Sequence, residues 1–168
     1  FNSRKNTRKF YELCGGRKYH LSTYMTPFDR MNVINSIKKE LKELEKDYPN
    51  FEGVPDERKI TVFSTSLIEA GIDLDFPAVF RELNGLDSIL QAGGRCNREG
   101  KLKEATVKVF SLNGKVSSKS SITLNIINSY DDISCHEAVE EYYNKFNEEK
   151  RLNSRHGQIE FRITMKYI

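Results

Sequence analysis

Two short apolar runs, Ile60–Phe63 and Ala78–Phe80, constrain the fold more than any other feature of the sequence. Runs of this length are typical of buried strands. Residues 67–75 lie between them and have room for one helical turn. A strand, a short crossover and a second strand favour a parallel sheet with helices over its faces. The chain is therefore predicted to be an α/β protein with its functional residues at the carboxyl ends of the strands.

Composition excludes several classes of protein. Of the 168 residues, 38% are hydrophobic and 30% are charged, which suits one sizeable globular core. No apolar run approaches the roughly 20 residues that a bilayer span needs, so no membrane partner is expected. The net charge of +3 is too small to indicate nucleic-acid binding, so any affinity for phosphate has to come from local placement.

The three cysteines are far apart in the sequence and lack the spacing of a zinc or redox pair: Cys14, Cys96 and Cys135. Isolated thiols of this kind are typical of a reducing, cytoplasmic location. Residues 1–115 are predicted to form a RecA-like three-layer domain with a mainly parallel sheet, followed by a C-terminal extension over residues 116–168. Because few apolar residues precede Asn2 and the first residue is Phe1, we expect the domain's first strand to be truncated.

Helix signals are clearest after Thr26, where Thr26 is an N-cap, Pro27 takes the first helical position and Asp29 follows. An apolar stripe then recurs at helical spacing as far as about Asp47, and it is predicted to face the core: Phe28, Met31, Ile34, Ile37, Leu41 and Leu44. An earlier helix is expected to begin at Asn6 or Thr7 and to stop at Gly15-Gly16.

The remaining elements are predicted from local pattern. Residues 18–25 and 105–112 are predicted to contain strands, and residues 120–127 are predicted to form a returning strand. Asp87 or Ser88 is expected to cap one helix, and Ser134 another, with Glu137 at the capping-box position. Residues 150–168 are charged as far as Ile159, and they either return to the sheet or pack elsewhere.

Hydroxyl side chains follow the first apolar run at Ser64, Thr65 and Ser66. Hydroxyls and amides at the end of a parallel strand suit phosphate oxygens, although capping of a following helix is an equally simple explanation. Gly71 and Asp73 follow on the same predicted edge. A carboxylate there suits ribose hydroxyls, whereas Asp73 and Asp75 lack the pattern of a calcium loop.

Arg95 and Arg98 are three residues apart, on a helix or at its end, so their side chains are expected on nearly the same face. Gln91 and the small pair Gly93-Gly94 precede them. No acidic residue except Glu99 is an obvious local partner. Two guanidiniums in this arrangement suit the charge that spreads over a phosphoryl group during transfer, and surface ion pairs are the alternative.

These features together, in this order, resemble a known family. S-T-S-L-I-E-A-G-I-D at 64–73 resembles the fifth motif of superfamily 2 helicases, and Q-A-G-G-R-C-N-R at 91–98 fits their sixth. The longer stretch L-I-E-A-G-I-D-L-D-F-P-A-V-F-R-E-L-N-G-L-D-S-I-L-Q-A-G-G-R-C-N-R-E-G is similar to the CRISPR-associated helicase-nuclease of type I systems. The resemblance covers nearly the whole chain.

The resemblance implies a second RecA-like motor domain. By position, Arg98 and Arg95 would be arginine fingers toward ATP, and Gln91, Gly71 and Asp73 would lie at the nucleotide. Contacts to the backbone of single-stranded DNA would come from six residues: Thr65, Ser64, Ser3, Arg4, Ser22 and Thr23. Family members translocate 3′ to 5′ with ATP and Mg²⁺, cut DNA with an HD nuclease domain and are recruited by an RNA-guided surveillance complex.

The 168 residues contain no Walker A loop, no acidic magnesium motif and no HD cluster. We therefore expect the isolated chain to lack ATPase activity, with ATP and Mg²⁺ held mainly by a first RecA-like domain. Two alternatives stay open at this point. One is half of a superfamily 2 RNA helicase, and the other is a docking module that kept the fold without the motor.

Overall fold

The computed structural model describes residues 1–65, 73–112 and 117–164, with side chains as far as residue 152. The chain divides into two compact units. The first comprises Phe1–Leu83 and Asp87–Gly114, and the second comprises Asn84–Leu86 and Lys115–Ile168. Among the described residues, no helix combines the length and the apolar character needed to cross a bilayer.

Parallel strand pairs organise the first unit. β1 (Arg17–Leu21) pairs with β2 (Ile60–Ser64), and β3 (Ala78–Glu82) pairs with β4 (Thr106–Phe110). Within the described ranges these are two separate two-stranded sheets. The α/β class with parallel strands is confirmed, because each pair is joined by a crossover that includes helix or loop rather than by a hairpin.

Three helices accompany these strands: α1 (Arg4–Leu13), α2 (Pro27–Asp47) and α3 (Leu86–Gly93), with a short 3₁₀ turn at Pro49–Phe51. α2 begins as predicted, since the Asp29 amide donates to Thr26 Oγ1 at 3.1 Å and Pro27 occupies the first turn. The predicted cap of α1 was wrong. Ser3 is the cap, accepting from the Asn6 amide at 3.1 Å, and the buried Thr7 lies inside the helix.

The apolar stripe of α2 is buried over only part of its length. Ile37, Leu41 and Leu44 are buried, and Ile37 and Leu41 pack in a cluster with Leu21 of β1. The prediction that the stripe faces the core from its start was wrong, because Phe28 and Met31 are exposed. Helical periodicity identifies one face of a helix, but the extent of the neighbouring strands decides how much of that face is covered.

Arg81 of β3 is a buried charged residue that fixes the start of the chain. Its Nη1 donates to Asn2 Oδ1 at 2.8 Å, and its Nε donates to Ser88 Oγ at 3.1 Å. Ser88 therefore accepts from Arg81 rather than capping α3, which begins at Leu86, so the predicted cap at Asp87 or Ser88 was wrong. Sequence reasoning missed this role, since an arginine in a strand pattern carries no sign of its partners.

The second unit is helical. α4 (Ser118–Ser129) and α5 (His136–Thr164) contain buried side chains, among them Thr123, Ile126, Ala138 and Tyr142. The strand predicted over residues 120–127 was wrong. Ser120, Thr123 and Ile126 are buried at intervals of three, a helical period that the short apolar run concealed, and Ser117 Oγ caps the helix by accepting from the Ser120 amide.

The beginning of α5 also differs from prediction. The Ala138 amide donates to Cys135 Sγ at 3.4 Å, so Cys135 takes the capping position. Ser134 instead donates its amide and hydroxyl to Asp132 Oδ1, which is why the expected capping box with Glu137 does not form. α5 continues to Thr164, so most of the charged C-terminal stretch is helical.

We predict that Arg81→Leu lowers the free energy of unfolding by about 2 to 4 kcal/mol, because it removes the charged hydrogen bonds of Arg81 and leaves the buried Ser88 hydroxyl without this donor. Urea denaturation followed by circular dichroism measures this loss. Lys108→Leu is the matched control, since Lys108 is an exposed cation on the paired strand β4, and its effect should stay within about 0.5 kcal/mol. Equal effects of the two substitutions would contradict the structural role of Arg81.

Candidate nucleotide and nucleic-acid site

Six of the predicted site residues come together at the carboxyl ends of β1 and β2. Leu21 pairs with Ser64, so Ser22 and Thr65 leave the sheet side by side. The amino group of Phe1 donates to the Ser64 carbonyl at 3.0 Å, which brings the start of α1 to the same edge. We call these residues the hydroxyl edge: Ser3, Arg4, Ser22, Thr23, Ser64 and Thr65.

The members of the hydroxyl edge differ in how far they can reach a ligand. Thr23 and Arg4 are exposed, and Thr65 is half-buried. Ser64 is buried, with its hydroxyl donating to the Thr65 carbonyl at 2.9 Å. Ser22 is also buried, and its Oγ accepts from the Tyr24 amide at 3.3 Å. Direct phosphate contacts therefore fit Thr23, Arg4 and Thr65 best, while the two serines shape the loops.

The second cluster lies where residues 73–76 run beside residues 95–98. The Phe76 amide donates to the Arg95 carbonyl at 3.0 Å, and the Asn97 amide donates to the Phe76 carbonyl at 2.9 Å. This backbone pairing places Asp73 beside Arg98, and the two form an ion pair through Oδ1 and Nη1. Two residues predicted separately, one for ribose and one for phosphate, are thus in direct contact.

Asp75 holds the turn that carries Arg98. Its Oδ1 accepts from the Arg98 amide at 2.7 Å, and its Oδ2 accepts from the Glu99 amide at 3.1 Å. Both carboxylate oxygens are used in this way, so Asp75 is a positioning residue. From the pattern alone, Asp75 is identifiable only as an acidic residue two positions after Asp73.

The two arginines do not share a helical face as predicted. α3 ends at Gly93, and Arg95 and Arg98 follow in a tight turn in which Asn97 has a positive φ of 50°. We call residues 95–98 the arginine turn. Arg95 is half-buried and lines a cavity, whereas Arg98 is exposed and paired with Asp73. The acidic partner of Arg98 is Asp73, which comes from a segment distant in sequence, and not the local Glu99.

Gln91 is exposed on α3, one turn before Arg95. Gly71 and Ser66 lie outside the described residues. Thr65 of the hydroxyl edge and Arg95 of the arginine turn line the same cavity, whose volume is about 800 Å³. One residue predicted for DNA and one predicted for nucleotide thus border the same cavity.

The sequence matches a family of known proteins. The family described as CRISPR-associated nuclease/helicase Cas3, C-terminal, matches residues 7–101, which is more than half of the chain. The Cas3 nuclease/helicase of Haloferax volcanii is 65% identical over 37 residues, covering 22% of this chain and 4% of that protein. The protein of the same name from Methanothermobacter thermautotrophicus is 46% identical over 43 residues, covering 26% and 5%.

Solved structures show the same fold. The crystal structure of T. fusca Cas3 superimposes with a TM-score of 0.63 at 12% identity, covering 94% of this chain and 21% of that one. The ADP form of the same protein gives a TM-score of 0.59 at 15% identity, covering 89% and 22%. The chain thus matches about a fifth of each solved chain and a much smaller part of the curated relatives.

The parallel α/β fold and the paired motifs define a helicase-type domain. The chain belongs to the family of CRISPR-associated nuclease/helicase Cas3 C-terminal domains.

Proposed function

We propose that this chain is the second motor domain of an ATP-dependent single-stranded DNA translocase acting in type I CRISPR interference. The observation that supports this most directly is the arginine turn, in which Asp75 holds the backbone at Arg98 while the guanidinium stays exposed. A motor needs a cation that reaches phosphate from a fixed position, and this turn supplies one.

On the nucleotide side, Arg98 supplies a guanidinium that can meet the γ-phosphate of ATP. In this structure the guanidinium is paired with Asp73, and the two side chains are 45% and 76% exposed. An exposed ion pair contributes only about 0 to 1 kcal/mol, so exchanging the carboxylate for a phosphate costs little. Arg95, Gln91 and Gly71 complete the proposed nucleotide contacts.

Magnesium fits these residues poorly. Asp75 already accepts two backbone amides, and Asp73 is paired with Arg98. Among the described residues, no group of three or more metal-binding side chains occurs. We therefore assign Mg²⁺, with most of the contacts to ATP, to a first RecA-like domain of the complete protein. ATP and AMPPNP appear in the solved T. fusca Cas3 structures, which supports nucleotide binding in this family.

On the DNA side, the hydroxyl groups and the Arg4 guanidinium suit the phosphates of a single strand. Contacts to phosphate position the strand without reading the identity of its bases. The complete protein is proposed to include an HD nuclease domain, to be recruited by an RNA-guided surveillance complex and to act in the cytoplasm. The isolated chain is proposed to be inactive as an ATPase, since an arginine finger needs a nucleotide held by another domain.

We predict that Arg98→Ala lowers ATP turnover of the complete protein roughly 10³-fold, the low end for arginine fingers. Steady-state phosphate release in the presence of DNA measures it. Lys101→Ala is the control, since Lys101 is a nearby exposed cation paired with Glu45 and Glu99. Near-normal turnover of Arg98→Ala would show that Arg98 is not a finger.

We predict that Thr65→Ala weakens binding of single-stranded DNA to a similar extent for every sequence, without changing the dependence of affinity on salt. Arg4→Gln should instead reduce the slope of log K against log salt by about 0.7, because one counterion fewer is released. Fluorescence anisotropy at several salt concentrations measures both. Thr61→Ala, on the same strand but away from its carboxyl end, is the control. If Thr65→Ala and Arg4→Gln both bind DNA like the parent, the proposal that these residues contact the DNA backbone is wrong.

A further inference from the structure

Exposed apolar side chains lie beside the hydroxyl edge. Tyr24 is 78% exposed, Phe28 is 74% exposed and Met31 is 60% exposed. Phe28 and Met31 begin the stripe whose later members are buried, so this end of α2 extends past the part of the helix that packs on the core. Large apolar side chains exposed in one short segment mark a site of interaction rather than a solvated surface.

The position of Tyr24 connects this surface to the proposed DNA contacts. Tyr24 follows Ser22 and Thr23 directly, and its amide donates to Ser22 Oγ. The Arg4 guanidinium lies 4.2 Å from the centroid of the Tyr24 ring. An aromatic ring stacked with a cation, next to hydroxyls, matches the chemistry of single-strand binding, in which phosphates meet cations and bases meet rings.

The charges at this surface also favour a polyanion. Arg4 and Lys5 are exposed at the start of α1. Arg30 donates to the Met25 carbonyl at 3.2 Å, so its charge also lies at this end of α2. The one carboxylate in the first turn of α2, Asp29, accepts from the Thr26 hydroxyl at 2.7 Å and belongs to the cap.

We propose that Tyr24 and Phe28 form a stacking platform for unpaired bases of single-stranded DNA, with Met31 extending its apolar edge. The proposal rests on the proposed function, since the hydroxyl edge has to hold the backbone for bases to reach the rings. Stacking tolerates any base because every base has a π face, so the platform adds affinity without sequence preference.

The test uses the complete protein and two oligonucleotides of equal length, one of thymidines and one of abasic residues. Tyr24→Ala and Phe28→Ala should each weaken binding of the thymidine strand roughly 5- to 150-fold, the range found for loss of one stacked base. Neither should change binding of the abasic strand. Tyr24→Phe keeps the ring and should bind the thymidine strand like the parent.

Controls separate this proposal from the function on which it rests. Thr65→Ala should weaken binding of the thymidine strand and of the abasic strand to the same extent. Tyr143 is an exposed aromatic residue in α5, and Tyr143→Ala should change the binding of neither strand. If Thr65→Ala weakens binding while Tyr24→Ala does not, the platform is wrong and the backbone role stands. If Tyr24→Ala or Phe28→Ala loses as much affinity for the abasic strand as for the thymidine strand, the stacking proposal is also wrong. A lower melting temperature with unchanged DNA affinity would show that the surface packs against another protein domain, and it would overturn the proposal as well.

Discussion

The parallel pairing of β1 with β2 is the constraint on which the site depends. Parallel strands leave a sheet in the same direction, so the residues that follow Leu21 and Ser64 meet without any direct bond between their side chains. The bond from Phe1 to the Ser64 carbonyl adds the start of α1 to this edge. Three segments distant in sequence thereby form one surface, and a change of register would separate them.

The arginine turn shows how a charged side chain can be held in place without being buried. Asp75 fixes the backbone at Arg98 and Glu99, while Asp73 holds the guanidinium itself. Because the Asp73 pair is exposed and weak, it orients Arg98 and can be broken at little cost in free energy. Lys101 is held differently, between Glu45 and Glu99, where the two carboxylates raise its pKa.

Much of the fold followed from local pattern. Thr26, Pro27 and Asp29 identified the beginning of α2, and short apolar runs identified β2 and β3. Errors arose where one pattern fits two structures. Residues 120–127 alternate like a strand and also have helical spacing, and only packing within the second unit selects the helix. Capping residues were misassigned where a hydroxyl had a stronger partner, as Ser88 has in Arg81.

The α/β class, the order of the motifs and the family could be predicted from the sequence, because these depend on residue type and spacing along the chain. The pairing of Asp73 with Arg98, the position of Arg95 at the cavity and the exposure of Phe28 became clear in the folded chain. Each of these depends on which segments lie side by side. Local periodicity carries no information about that, since pairing joins residues remote in sequence.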